Sequence, residues 1–377
     1  MASPDQAALK GPAPGGFASR ALPALLVLFL SAAYAVWILS RAGWDPKVFA
    51  DLGTRYSLGQ RNGTQGYDGQ FNYYIALDPR PQAAGVRLDV PAYRYQRILY
   101  PLLAWALSGG NSTSLPWILL AINLAALPLA TLLASELLRN RGASPWHSVP
   151  FGLWVGLLGS LRTDLSEPFA LALVAMAILL DDRGRPFGSG LVLALAAFAK
   201  ETTLVFLLAW AVWGGLAERR ASTAFLRLLP AVPFILYQGW LHWVFGSFGI
   251  GSGGAQGTPF EMVPFFGLLR VGQAGLLVLA VFAVVYAPGL LAPALWGILS
   301  PLKQWIRRQA TLESLLLFGN ALTLALAPFS TFREPLGITR LASGMMLSGL
   351  LYAARRAQQP ALRYAWVGLA YLPLIAG

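Results

Sequence analysis

Few residues of this chain are equipped for chemistry, and most of those gather in a handful of short polar stretches. Asp51 and Asp68 stand in the first of them, and Tyr93-Arg94-Tyr95-Gln96-Arg97 ends it. Further along, Arg162, Asp164 and Glu167 stand together, Lys200 adjoins Glu201, and Arg333, Glu334 and Arg340 form a last group. A positioned carboxylate can take a proton from a hydroxyl, and arginine can grip a phosphate with two parallel hydrogen bonds. Asp68 or Asp51 is therefore a candidate general base. Arg94, Arg97, Lys200, Arg333 and Arg340 are candidate phosphate ligands.

Each candidate has a plainer alternative. Asp68 can cap the helix that follows it, and Asp51 can pair with Arg55 at i,i+4. Arg94 and Arg97, set among tyrosines before a short apolar helix, can serve as an interfacial anchor. Lys200 with Glu201, and Arg333 with Glu334, can be local ion pairs at helix ends. Asp164 and Glu167, spaced i,i+3, can hold a cation or substrate hydroxyls, or can cap a helix.

The elements that position these groups follow from composition. Of 377 residues, 56% are hydrophobic and only 12% charged, about half the charge of a soluble domain. Mean hydropathy is +0.57. A soluble protein of this length could not cover its surface with so few charges, so the chain reads as a polytopic membrane protein. The net charge of +12 is a topology signal, with the basic residues in short loops; no nucleic-acid partner is expected. The absence of cysteine excludes disulfides and thiol chemistry, and two histidines are too few for a histidine metal site. No metal or cofactor is expected.

Apolar runs near 21–40, 115–138, 147–161, 168–181, 187–199, 204–217, 228–246, 272–298, 312–329, 341–354 and 364–377 predict an all-α bundle of about eleven spans. Several runs are short for a hydrocarbon core of about 30 Å. Residues 1–20 read as a cytoplasmic tail and 21–377 as a single transmembrane domain. The first run is longer than a signal-peptide core, which predicts an uncleaved span. With the N-terminus inside, the inner ends hold Lys10, Arg20, Arg139, Arg141, Arg183, Arg185, Arg219, Arg220, Arg227, Lys303, Arg307, Arg308, Arg355, Arg356 and Arg363. The candidate groups then share the outer side with the long 41–97 loop. Two amphipathic helices, 46–56 and 68–77, are expected to lie on the membrane surface in that loop. The GIGSGG stretch at 249–254 has no strand–helix context and reads as a mobile outer loop rather than a nucleotide site.

The stretches GYDGQFNYYIALDP (66–79) and YRYQRILYPLLAW (93–105), followed by many short spans, resemble integral-membrane glycosyltransferases of the GT-C type. The similarity is to bacterial members linked to cell-surface glycopolymer formation and, more distantly, to GPI and dolichyl-phosphate-mannose-dependent mannosyltransferases. Thr163-Asp164-Leu165-Ser166-Glu167, Ala199-Lys200-Glu201-Thr202 and the Arg333–Arg340 turn are similar to later turns of those relatives. The resemblance implies a polyprenyl-phosphate-linked sugar as donor, a glycan or lipid acceptor, membrane lipids as surroundings, and chemistry on the non-cytoplasmic face of a bacterial inner membrane. It places Tyr67, Gln70, Tyr95, Asp164, Glu167 and Glu201 among the expected substrate contacts. Two other classes compete: a polytopic transporter or flippase, and a non-catalytic subunit of an envelope glycopolymer assembly system. A transporter would carry ionisable groups near the midplane and show repeated halves; neither is visible in the sequence.

Overall fold

A computed structural model describes residues 17–376. The predicted tail, with Lys10, lies outside the described residues as far as position 16, and the first helix begins at Phe17. Among the described residues the secondary structure is helical throughout, apart from one isolated antiparallel bridge between Leu52 and Gly66. Every predicted apolar run is largely helical among the described residues, but the runs differ in length. Four helices are long and apolar enough to cross a membrane: Ala21–Arg41, Leu115–Asn140, Ala221–Phe245 and Leu276–Ile306. A fifth candidate is the pair Pro335–Leu341 and Ser343–Arg355, bent by 40°.

The remaining runs are shorter or broken. Glu167–Asp182, Pro186–Ala199, Leu204–Glu218 and Leu312–Ala325 have 14 to 16 residues. The run expected at 147–161 is interrupted at Trp154, whose backbone is extended (ψ 129°). Its indole N–H donates to the Thr339 carbonyl at 2.7 Å, and Gly156 passes so close to that carbonyl that a Cβ would lie 2.2 Å from it. The run expected at 364–377 is a tight 3-10 helix, Ala365–Ile375, held to the first helix by the Tyr34 hydroxyl on the Ile375 carbonyl at 2.7 Å.

Glu167–Asp182 is the axis of the bundle. It packs on Leu115–Asn140 and Pro186–Ala199, while Leu312–Ala325 packs on Ala292–Ile306, Ser343–Arg355 and Leu204–Glu218. The peripheral helices are unshielded by protein: Leu276 is 82% exposed and Trp243 81%. Apolar surface on this scale is stable only against lipid or another apolar partner.

The first long loop departs from expectation. Residues 46–56 form two single turns, Lys47–Ala50 and Thr54–Ser57, because Asp51 takes a left-handed conformation (φ 49°) between them. The second expected helix exists as Gly69–Leu77, but it is buried on every side from Gly69 to Ala76. It therefore does not lie on the membrane surface. Phe71, Tyr74 and Ile75 join Tyr95, Tyr100 and Leu119 in a second apolar core.

The two ends of Glu167–Asp182 carry two belts of ion pairs, about 22 Å apart at 1.5 Å per residue. At the Asp182 end, Arg141 bonds Asp182 at 2.7 Å and Glu313 at 2.8 Å, Arg139 bonds Glu136 at 2.7 Å, and Arg227 lies 3.7 Å from Asp181. Several arginines that the sequence assigns to the inner side are thus paired rather than free. Removing one partner of a buried pair leaves an uncompensated charge, at a cost of roughly 3–5 kcal/mol. Arg141→Ala should therefore lower the melting temperature of the purified protein far more than Arg183→Ala, whose side chain is exposed. Equal melting temperatures would show that the Arg141 pairs contribute nothing.

Candidate active site

At the Glu167 end, the turns that carry the candidate residues converge. Gly66-Tyr67-Asp68 leads into Gly69–Leu77, and the turn is pinned by Gln70, which accepts from the Gly53 N–H at 3.2 Å and donates to the Gln65 carbonyl at 2.7 Å. Gly69 packs against the 163–164 turn; a Cβ there would lie 1.9 Å from the Thr163 carbonyl. Asn72 reaches the Asp164 carbonyl at 2.8 Å from the same helix. Loop and bundle are thereby held in fixed register.

Asp68 occupies the N-cap position but makes no capping bond. Its carboxylate faces two arginines instead. Oδ1 bonds Arg94 Nη2 at 2.9 Å, and Oδ2 lies 4.0 Å from Arg340 Nη2. The Asp68 side chain keeps one third of its surface open, 33% against 7% for Arg94 and 11% for Arg340. Burial pushes its carboxyl up, but Arg94 and then Arg340 outweigh this and hold it well below the usual carboxylate range. Asp68 is accordingly ionised at neutral pH.

Of the expected phosphate ligands, most are already engaged. Arg94 holds two carboxylates: it forks onto Asp89 at 2.7 and 2.8 Å, bonds Asp68, and lies over the Phe71 ring at 4.2 Å. Arg97 forks onto Glu201 at 2.7 and 2.6 Å and donates to the Tyr93 hydroxyl at 2.7 Å. Lys200 bonds Glu167 at 2.7 Å. The local Lys200–Glu201 pair expected from sequence is thus replaced by two long-range pairs. Arg333 is exposed, lies over the Phe329 ring at 5.6 Å, and has no carboxylate partner among the described residues. Arg340 is different: it is buried, its guanidinium lies over the Tyr67 ring at 5.2 Å, and its Nε has no hydrogen-bond partner.

The expected substrate contacts divide. Tyr67 belongs to the cluster, its hydroxyl donating to Glu334 Oε1. Glu167 and Arg340 line a common cavity of about 20 Å³ with Lys200, Thr203 and Asn320, and Glu167 Oε2 is unpartnered there. Gln70 is a structural pin, 1% exposed. Tyr95 is core, 1% exposed, packed on Phe245 and bonded to the Pro79 carbonyl at 3.1 Å. Glu201 is tied to Arg97; burial pushes its carboxyl up, and Arg97 outweighs this and holds it down at about 2. Asp164 is fully buried with both carboxylate oxygens unpartnered; burial pushes its carboxyl well above the usual carboxylate range, against a smaller opposing pull from Arg162. It precedes the helix at φ 47° and caps nothing, since the N-cap position belongs to Ser166. Asp51 is exposed and stands outside the cluster. The fold uses its backbone, the carbonyl accepting from the Tyr67 N–H at 3.0 Å.

Asp89 is the residue that sequence reasoning missed. Besides Arg94, its carboxylate accepts from the Val90 N–H at 2.7 Å and the Ala255 N–H at 3.0 Å. The glycine-rich 249–254 loop is also held by Gln238, whose Oε1 accepts from Gly249 and Ile250 at 2.8 and 3.0 Å. It is fastened over Arg94, not a free flap. The five-residue offset from Asp89 to Arg94 matches no helical pairing, so no spacing rule pointed to it.

The chain matches no family model, no curated protein and no solved structure.

Two measurements check this geometry. Gly69→Ala should destabilise the fold by about 1–3 kcal/mol, because the added methyl must displace backbone; an unchanged melting temperature would mean that the 69 and 163 segments are not in contact. The depressed carboxyls of Asp68 and Glu201 contribute stability that is complete above their ordinary values, about 4, and lost as pH falls through their folded values. The melting temperature should therefore not change on their account between pH 8 and 5, and should drop below about pH 4. Glu201→Gln should remove part of that acid-induced drop.

Proposed function

We propose that the chain is a membrane glycosyltransferase of the GT-C type, with about eleven spans counting the short and bent helices, in a bacterial inner membrane. It would move a sugar from a polyprenyl-phosphate donor to a cell-surface glycan or lipid acceptor on the non-cytoplasmic face. The observation that carries this reading is the pairing of a partly open, ionised carboxylate with a buried arginine whose Nε is unpartnered, both at the end of the bundle where the candidate turns meet.

In the proposed step the acceptor oxygen bonds to the anomeric carbon as the carbon–oxygen bond to the donor phosphate breaks. The acceptor proton passes to Asp68, and the polyprenyl phosphate leaves with its new charge facing Arg340. Asp68 alone is a weak base, because two arginines hold it ionised. A phosphate that draws Arg340 away removes one of those cations, so donor binding raises the proton affinity of Asp68. Catalytic competence then depends on a loaded site, which protects the donor from water. Arg94 remains on Asp68 throughout, kept there by Asp89. The separation of ionised groups into two belts supports this reading over a transporter, which would concentrate them near the midplane.

The test is transfer of labelled sugar by the purified protein in proteoliposomes, using a panel of polyprenyl-phosphate hexose and pentose donors. Asp68→Asn should reduce transfer by about 100-fold or more without loss of folded protein. Arg340→Ala should weaken donor binding and slow transfer, with Arg340→Lys restoring only part, since lysine cannot fork onto phosphate. Asp51→Asn should stay near wild type. Full activity in Asp68→Asn would remove Asp68 as the base and favour the non-catalytic reading.

A further inference from the structure

A large cavity lies away from the charged cluster, among apolar helices. Its volume is about 640 Å³, and its walls include Trp154, Ala292, Trp296, Met345, Gly349 and Ala361. On one side it is walled by the long helix Leu276–Ile306 where a π-helical turn, Ala287–Leu291, interrupts it, with Pro288 inside the turn and Pro293 just after it. A broken helix at membrane depth must have its freed backbone groups satisfied by protein. Two tyrosines of the C-terminal segment do this. The Tyr364 hydroxyl donates to the Pro288 carbonyl at 2.9 Å. The Tyr371 hydroxyl accepts from the Gly289 N–H at 2.9 Å and donates to the Val285 carbonyl. The cavity is thus framed by hydrogen bonds and is no incidental gap between loosely packed helices.

Its charge environment is one-sided. From Pro335 to the C-terminus the chain has four arginines and no acidic residue. Arg355 and Arg356 stand just before Gln358, which lines the cavity, and Arg363 stands between the lining residues Ala361 and Tyr364. All three are exposed and have no carboxylate partner among the described residues. Arg340 is at the other end of the bent pair. Helix Ser343–Arg355 is 13 residues long, about 20 Å.

We propose that this cavity binds one acyl chain of an anionic phospholipid, with the phosphate of its headgroup held among Arg355, Arg356 and Arg363. An apolar cavity of this size open to a bilayer is filled by hydrocarbon rather than water, and unpaired arginines beside it select a negative headgroup. The lipid would brace the broken helix against the C-terminal segment. The site is distinct from the proposed donor phosphate site, because its cations lie at the opposite end of the helix from Arg340.

The experiment is thermal melting of the purified full chain in neutral detergent, with added phosphatidylglycerol or phosphatidylcholine, together with mass spectrometry of co-purifying lipid. Gly349→Leu is the cavity-filling variant, since a Cβ at Gly349 makes only ordinary contacts, 3.6 Å to Trp296 and 3.9 Å to Leu317. The charge variant, Arg355→Gln/Arg356→Gln/Arg363→Gln, changes exposed side chains only. Phosphatidylglycerol should raise the wild-type melting temperature by several degrees and phosphatidylcholine by much less. Gly349→Leu should lose the shift, and the charge variant should respond equally to both lipids. An equal shift in all three proteins, or equal shifts by both lipids in wild type, would overturn the proposal. Displacement of phosphatidylglycerol by a polyprenyl phosphate would also overturn it, by assigning the cavity to the donor.

Discussion

A charge taken out of water must find its opposite inside the protein, and much of this fold can be understood from how its few charges do so. Arg94 is the clearest instance. It is 7% exposed and holds two carboxylates, Asp68 from one side and Asp89 from the other. Asp89 in turn fastens the glycine-rich loop through the Ala255 N–H. One guanidinium therefore joins the first outer loop, the second core beneath it through Phe71, and the loop above it. Arg97 does the same for the 200–201 turn and Lys200 for the start of the central helix. Breaking such a pair is costly because the remaining charge stays buried. The pairs therefore act as fixed distances between segments far apart in sequence.

This constraint also explains what could be read in advance and what could not. Helices were legible because an apolar run at membrane depth must satisfy its own backbone, and all eleven runs are largely helical. The special place of Asp68 was legible from its position before Gly69–Leu77, though capping was the competing account and the carboxylate turns away from the helix end. Pair identities were not legible. Lys200 and Glu201 are neighbours, yet each pairs elsewhere, Glu201 with Arg97 across 104 positions. Arg141 meets Glu313 across 172 positions. Local charge spacing carries no information about such partners, since tertiary packing decides which helix ends meet. The burial of Gly69–Leu77 was hidden for a related reason: what covers it comes from separate turns, including 163–164.

Arg340 stands apart because its pairing is incomplete. Its nearest carboxylate oxygen is 4.0 Å away and its Nε is unpartnered, although the residue is nearly enclosed. A group left short of partners in a low-dielectric setting interacts strongly with any ligand that supplies them. Glu167 Oε2, in the same small cavity, is short of a donor in the same way. An arginine seeking an acceptor and a carboxylate seeking a donor, side by side, suit a ligand that has both, such as a hydroxyl-bearing sugar attached to phosphate. Arg94, by contrast, is already held by two carboxylates through its Nε and Nη2.

The spacing of the two belts sets the depth at which such a ligand would be met. Glu167 and Asp182 lie about 22 Å apart along their helix, whereas a bilayer hydrocarbon core is about 30 Å. The longer helices at the periphery, Leu276–Ile306 above all at about 46 Å, are long enough to cross that thickness, while the short helices around Glu167–Asp182 are shorter than it. On the proposed reading, the charged cluster would then lie recessed below the ends of the longer helices, beside the buried loop helix Gly69–Leu77. A ligand whose phosphate is anchored to a membrane chain brings that phosphate to headgroup depth and no further into water. A catalytic group on a loop tip would miss it. On the proposed reading, Asp68 before Gly69–Leu77 and Arg340 near the end of Pro335–Leu341, under a loop fastened by Asp89, would stand where a lipid-borne phosphate can reach them.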